Sequence, residues 1–205
     1  MAVPDSLPQR VFLLAYDPGK GRVRMGTHLG AMLRAAALAD LYLAGHLTDA
    51  DGRAAVGVRR PCPDPVLGAV LDEIAGARPY SWQSWIDHHQ RQTVTAVRQQ
   101  LSDGRWVRLE PRRILGLFPT TNVTLRDPRV RKELLRRISG ALKNPIGRVD
   151  PTDAALVAIV AAGNLTLVLD GRTRRERNRR IQELTGLSGP IGPALRTSIQ
   201  ATRSG

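Results

Sequence analysis

The chain has 205 residues, of which 42% are hydrophobic, which is enough material for one well-packed core. We therefore predict a single globular domain over residues 1–205. Its 31 lysine and arginine residues against 18 aspartate and glutamate residues give a formal net charge of +13. Such a polycation favours a polyanionic partner: nucleic acid, an anionic membrane or an acidic protein.

Nearly all of this charge is arginine, because the only lysines are Lys20, Lys132 and Lys143. Arginine suits bidentate contact with phosphate. A GC-rich genome, which raises arginine, alanine, glycine and proline together, explains the composition equally well and indicates a bacterial chain. The single cysteine, Cys62, cannot form an internal disulfide, and no signal peptide or membrane-spanning stretch is found. We expect a cytoplasmic location.

The first half of the chain alternates helices and hairpins. The segment "RVFLLAYD" is either a short strand or the first turns of a helix. An apolar, central helix runs from His28 to Ala44 and ends at Gly45. The Asp-Gly pair in "HLTDADGRAAVGV" marks a hairpin, and "PVLGAVLDEIAGA" is an amphipathic helix.

A second helix-then-hairpin unit follows, but it shares too few residues with the first to be a sequence repeat. The segment "SWQSWIDHHQRQTVTAVRQQL" predicts one helix, and "SDGRWVRLEPRRILGLFPTTNVTL" predicts a turn and a longer hairpin. The spacing of Trp82 and Trp85 favours packing in the core over ligand binding.

Two aspartate-proline pairs, at Asp127 and Asp150, mark helix starts. The first helix carries one apolar stripe over residues 130–142, and the second is apolar throughout. A basic helix over 170–187 and one short C-terminal helix follow. The fold class is therefore mainly α, with central apolar helices surrounded by amphipathic helices and with small β-hairpins.

Catalytic and metal-binding motifs are not found. The segment "DPGKGR" lacks the spacing of a phosphate-binding loop, and His88 and His89 point about 100° apart on a helix and cannot share a metal. Asp72, Glu73 and Asp87 read as ordinary helix-face carboxylates. We predict no catalytic residue, no cofactor and no metal. The basic run from Arg172 to Arg180 is either a solvated helix face or a binding surface.

The second hairpin combines apolar and basic residues at its end. Arg112 and Arg113 stand beside Leu115, Leu117 and Phe118. Such a loop suits insertion of its apolar residues into a lipid interface while its arginines meet headgroup phosphates. The alternative is a hairpin that packs on its own domain or on a neighbouring subunit, which would make a homo-oligomer through residues 112–125.

Arg34 raises a separate question, because it lies near the start of a helix that is apolar almost all the way round. A guanidinium is not neutralised by burial and carries five donors. It must therefore face water, a carboxylate or a phosphate.

The order of elements resembles the Golgi phosphoprotein 3 family over nearly the whole chain. The similar segments are "LRAAALADLYLAGHL", "VRQQLSDGRWVRLEPRRILGLFPTTNVTL", "VRKELLRRISGAL" and "LVAIVAAGNLTLVL". The resemblance implies a mostly helical domain that binds phosphatidylinositol 4-phosphate or another anionic phospholipid at a membrane. It also implies a peripheral, non-enzymatic adaptor at the inner face of the membrane, with a protein partner.

The resemblance further implies a headgroup site. Arg34 matches the family's phosphate-contacting helix arginine, and the second basic cluster aligns on Arg91, with Arg98 as a substitute for its partner. The family's pocket tryptophan falls near Met25, where Arg24 would supply charge.

Two functions from other classes remain open. A helix followed by an Asp-Gly hairpin is also typical of winged-helix nucleic-acid-binding proteins, although the helix over 30–44 is too apolar for a DNA groove. The other alternative is an interaction scaffold that binds neither lipid nor nucleic acid.

Overall fold

The computed structural model describes residues 2–24, 28–58, 60–114 and 118–204. Most of these residues lie in helices, which confirms the mainly α fold class. The helices within the described residues are α1 (Leu7–Leu14), α2 (Leu29–Leu43), α3 (Pro65–Ala75), α4 (Trp82–Asp87), α5 (Gln90–Asp103), α6 (Pro128–Lys143), α7 (Pro151–Ala162), α8 (Gly171–Glu176), α9 (Asn178–Leu187) and α10 (Ile191–Ser204). A short 3-10 helix, Ile146–Arg148, joins α6 to α7.

The strands form three separate antiparallel pairs. They are β1 (Tyr16–Asp17) with β2 (Arg22–Val23), β3 (Leu47–Ala50) with β4 (Arg53–Val56), and β5 (Val107–Ile114) with β6 (Phe118–Leu125). The predicted hairpin turn at Asp51 and Gly52 is confirmed, and both residues have positive φ, 52° and 78°. Such a turn matches the twist of the two strands that it joins.

Helices α2 and α7 form the centre of the core. All residues of α7 from Ala154 to Ala161 are buried, and α2 packs against α1, α3, α4, α5, α7 and α10. Around this pair the amphipathic helices turn one apolar face inward, as α6 does with the predicted stripe of Val130, Leu134, Ile138 and Leu142. Because α2 is enclosed on several sides, it cannot enter a DNA groove.

Aspartates begin several helices, as predicted. The Asp127 and Asp150 side chains accept hydrogen bonds from the backbone amides of Arg129 and Thr152, and each is followed by proline at the first helical position. These side chains satisfy amide groups that a helix start leaves without a partner.

The prediction of a single helix over 81–101 was wrong, because this segment forms two helices, α4 and α5. The chain breaks at His88, which is extended, and His89, whose φ is 49° in the left-handed region. The break lets α4 pack on α10 and α2 while α5 packs on α1, α2 and α3. Trp82 and Trp85 are 2% and 4% exposed, which confirms their predicted place in the core.

The C-terminal part also differs from the prediction. The basic helix over 170–187 divides at Arg177 into α8 and α9. The C-terminal helix α10 is 14 residues long rather than short, because Ile191, Leu195 and Ile199 bury one face of it.

The segment "RVFLLAYD", for which the sequence allows a strand or a helix, lies largely in α1, whose residues are all buried. No helix within the described ranges is long and apolar enough to cross a membrane.

Candidate functional site

Arg34 meets a carboxylate. Its side chain is 1% exposed, its Nε donates a hydrogen bond to the Trp85 carbonyl oxygen at 3.1 Å, and its Nη2 donates to Glu73 Oε2 at 2.9 Å. Burial lowers the pKa of the Arg34 guanidinium, and Glu73 partly offsets this effect. The residue that compensates the buried charge is therefore Glu73, which the sequence indicated only as a helix-face carboxylate.

Glu73 also contacts a histidine. Its second oxygen, Oε1, lies 3.1 Å from Nδ1 of His89, whose side chain is 51% exposed. Glu73 itself is 30% exposed. One carboxylate thus connects a buried guanidinium to an imidazole at the surface.

These three residues form one end of a groove between α3 and α5. The groove has a volume of about 590 Å³. The side chains of Val66, Ala69, Val70 and Ala96 give it an apolar floor. Gln100 lines the other end of the groove, and its Nε2 donates a hydrogen bond to Asp64 Oδ2 at 2.8 Å. The groove is a concave, mostly apolar surface with a charged group at one end, which is typical of ligand sites.

The predicted residues Arg91 and Arg98 lie beside the groove but do not line it. Helical periodicity places them on one face of α5, away from the face that carries Gln92, Ala96 and Gln99. Arg91 is exposed on the first turn of α5, and Arg98 is half-buried. The start of α5 lies against the first turn of α2, because a Cβ at Gly30 would be 2.7 Å from Gln90 Cβ.

A family model described as Golgi phosphoprotein 3 (GPP34) matches residues 7–202, which is nearly the whole chain. The chain belongs to the Golgi phosphoprotein 3 family. Membership in this family confirms the resemblance and is consistent with a membrane-associated lipid-binding or adaptor role. No curated protein matches the chain.

The resemblance to the Golgi phosphoprotein 3 family also placed Arg24 and Met25 in the headgroup site. Arg24 is exposed and its Nη1 donates to Thr166 Oγ1 at 2.9 Å, in the loop after α7, so it does not line the groove. Met25 lies outside the described residues. Among the described residues, no group of three or more potential ligands could hold a metal ion.

The hairpin β5–β6 has the predicted long, two-stranded form. Its register pairs Val107 with Leu125 at the base and Ile114 with Phe118 at the far end, where Arg112 pairs with Thr120 and Arg113 with Pro119. The base is anchored because Val107 and Val123 are buried. Leu115 and Leu117 lie outside the described residues. The insertion of this hairpin into a membrane stays a prediction for this member of the Golgi phosphoprotein 3 family.

Proposed function

We propose that this protein is a peripheral membrane protein that binds anionic phospholipid headgroups, phosphatidylinositol 4-phosphate among them, and acts as an adaptor without catalysis. We place it in the cytoplasm, at the inner face of a membrane, with a protein partner. The match to the Golgi phosphoprotein 3 family over residues 7–202 is the observation that carries this proposal.

The surroundings of Arg34 support a headgroup site at the start of α5. Arg34 reaches the groove from α2, and the half-exposed His89 lies at the same end of the groove. Arg91 is exposed and follows His89 by two residues. A headgroup phosphate bound here accepts hydrogen bonds from the Arg34 fork in competition with Glu73. Arg91 and Arg98 supply attraction from the neighbouring face of α5.

Membrane attraction has a second source in the net charge and in the hairpin. Each basic residue close to an anionic surface contributes about 1 kcal/mol, so a formal charge of +13 favours such a surface before any specific contact forms. In this proposal Arg112 and Arg113 meet headgroups while Leu115, Leu117 and Phe118 enter the interface. A homo-oligomer through residues 112–125 is the alternative use of the same hairpin.

The test is co-sedimentation with vesicles at low and at physiological salt. The vesicles contain phosphatidylinositol 4-phosphate, phosphatidylinositol, phosphatidylserine or neutral lipid only. We expect selective sedimentation with the phosphorylated lipid at both salt concentrations. Equal sedimentation with every anionic lipid, lost at physiological salt, would mean that net charge acts without a headgroup site.

Two variants and one control assign the site. Arg34→Lys keeps the charge that Glu73 requires but loses the planar fork, and Arg91→Gln with Arg98→Gln removes two charges beside the groove. We expect both to weaken selective binding. The control, Arg129→Gln with Arg136→Gln, removes two charges from exposed positions on α6.

Random duplex DNA, added as a competitor, tests the winged-helix alternative. That alternative requires DNA binding that weakens steeply as the salt concentration rises.

A further inference from the structure

A second cavity lies on another part of the molecule, between the C-terminal half of α7 and helices α8, α9 and α10. Its volume is about 540 Å³. The small side chains of Ala158, Ala161 and Ala162, together with Ile181, give it an apolar floor. None of its lining residues belongs to the groove at Arg34. It is therefore a separate feature of the fold.

Three arginines line this cavity: Arg174 and Arg175 from α8, and Arg196 from α10. Arg174 is held in place because its Nη1 donates to Asn164 Oδ1. Arg175 and Arg196 are exposed and make no ion pair or hydrogen bond with any described side chain. Their charges are not compensated within the described chain.

The nearby carboxylates all have other partners. Asp170 accepts a hydrogen bond from the Thr173 amide at 2.7 Å and so begins α8. Glu176 pairs with Arg172, and Glu183 pairs with Arg179 and Arg180. No carboxylate is among the described residues that line the cavity. Like charges collected around one cavity repel each other, and a bound anion relieves that repulsion.

We propose that this cavity is a second anion site, which binds a phosphate group through Arg174, Arg175 and Arg196. Guanidinium groups match the geometry of phosphate oxygens, and the polar side chains of Asn178 and Gln182 add donors at the rim. The cavity is larger than a bare phosphate requires, and its apolar floor accommodates the carbon skeleton of an organic phosphate. That phosphate comes from a soluble organophosphate or from a lipid headgroup. The site stands independently of the function proposed above.

The experiment is a calorimetric titration of the full chain with pyrophosphate. We expect saturable binding, weakened about ten-fold or more by Arg175→Gln with Arg196→Gln. The matched control is Arg172→Gln with Arg179→Gln, which removes the same charge from α8 and α9 at side chains that are 87% and 96% exposed and lie outside the cavity. We expect the control to bind pyrophosphate as the parent protein does.

A further variant tests the cavity without removing an arginine. Gln182→Glu places a carboxylate in the exposed rim, where it competes with the ligand, and we expect it to weaken binding. The proposal is overturned if pyrophosphate binding is not saturable, or if the cavity variant and its control lose affinity equally.

Two further arms identify the source of the phosphate and separate this site from the first. If vesicles containing phosphatidic acid compete with pyrophosphate, the ligand is a lipid headgroup, whereas competition by glycerol phosphate alone indicates a soluble organophosphate. The variant Arg91→Gln with Arg98→Gln should keep its pyrophosphate affinity. Loss of pyrophosphate binding in that variant would assign the anion to the other site and overturn the proposal.

Discussion

The backbone amide of Leu7 donates a hydrogen bond of 2.6 Å to Oδ2 of Asp40, 33 residues further along the chain. Leu7 is the first residue of α1, and Asp40 lies in the last turn of α2. The first helix is therefore capped by a side chain of the central helix rather than by the residue that precedes it, Ser6, which makes no capping bond.

Burial of the Asp40 carboxyl group makes the stability of the protein depend on pH. Burial raises the pKa of Asp40 from 3.8 to about 7, although the Leu7 amide and Arg10 oppose the rise. Between about pH 4 and pH 7 the folded protein binds this proton more tightly than the unfolded chain does, so the contribution of Asp40 to the free energy of unfolding decreases as the pH rises through this window. A pKa change from 3.8 to about 7 corresponds to about 4 kcal/mol.

Asp40→Asn keeps an oxygen acceptor for Leu7 and removes the titration. We expect the free energy of unfolding of the parent protein to fall from pH 4 to pH 7 relative to that of the variant, as measured by urea denaturation across this range. The same pH slope in both proteins would show that Asp40 is not the group responsible.

Glu73 should be important for stability because it is the carboxylate partner of buried Arg34. Glu73→Gln leaves the guanidinium without its counter-charge, and we expect a loss of about 2 kcal/mol, moderated by the partial exposure of the pair. Urea denaturation of Glu73→Gln, Arg34→Met and the double variant measures the coupling. A double variant that loses the full sum of the two single losses would mean that the pair is not energetically coupled.

Two glycines within helices should respond to alanine in opposite directions. At Gly30 in α2 a Cβ would lie 2.7 Å from Gln90 Cβ and 3.3 Å from the Gln90 carbonyl carbon, so we expect Gly30→Ala to lower stability by about 1–3 kcal/mol. At Gly68 in α3 the nearest atom outside the helix is the Cys62 oxygen at 3.5 Å, which is ordinary contact. Gly68→Ala should therefore raise stability by about 0.5–1 kcal/mol, because alanine favours a helix.

Thermal and urea unfolding of both glycine variants check this pair. Near-equal effects of the same sign would mean that helix propensity, and not the close approach of α2 to α5, decides the outcome. A destabilised Gly30→Ala should also show weaker vesicle binding, since the change separates the two helices that carry Arg34 and Arg91.

The sequence predicted the elements whose signals are local. The start of α6 at Asp127 and Pro128 and its apolar stripe follow from residues three or four apart. The division of α4 from α5 could not be predicted in this way, because His89 takes a left-handed conformation that its residue type does not require. That division depends on which core surfaces the two short helices cover.

The candidate site was predicted in part. The need of Arg34 for an anion follows from its chemistry, but the choice of Glu73 depends on α2 and α3 packing side by side, which brings residues 39 apart in sequence into contact. The cavity at Arg174, Arg175 and Arg196 could not be predicted either, since its lining comes from four helices, α7 to α10. The basic run was visible, but which of its arginines face a cavity was not.

The pairing of Glu73 with Arg34 bears on ligand selectivity in the lipid-binding role proposed above. A carboxylate already seated on the guanidinium is an intramolecular competitor, present at a high effective concentration and never diluted. A phosphodiester with one negative charge offers Arg34 little that Glu73 does not already provide, whereas a phosphomonoester brings a second charge and more acceptor oxygens. In the role proposed above, competition by Glu73 would therefore favour doubly charged headgroups over singly charged lipids.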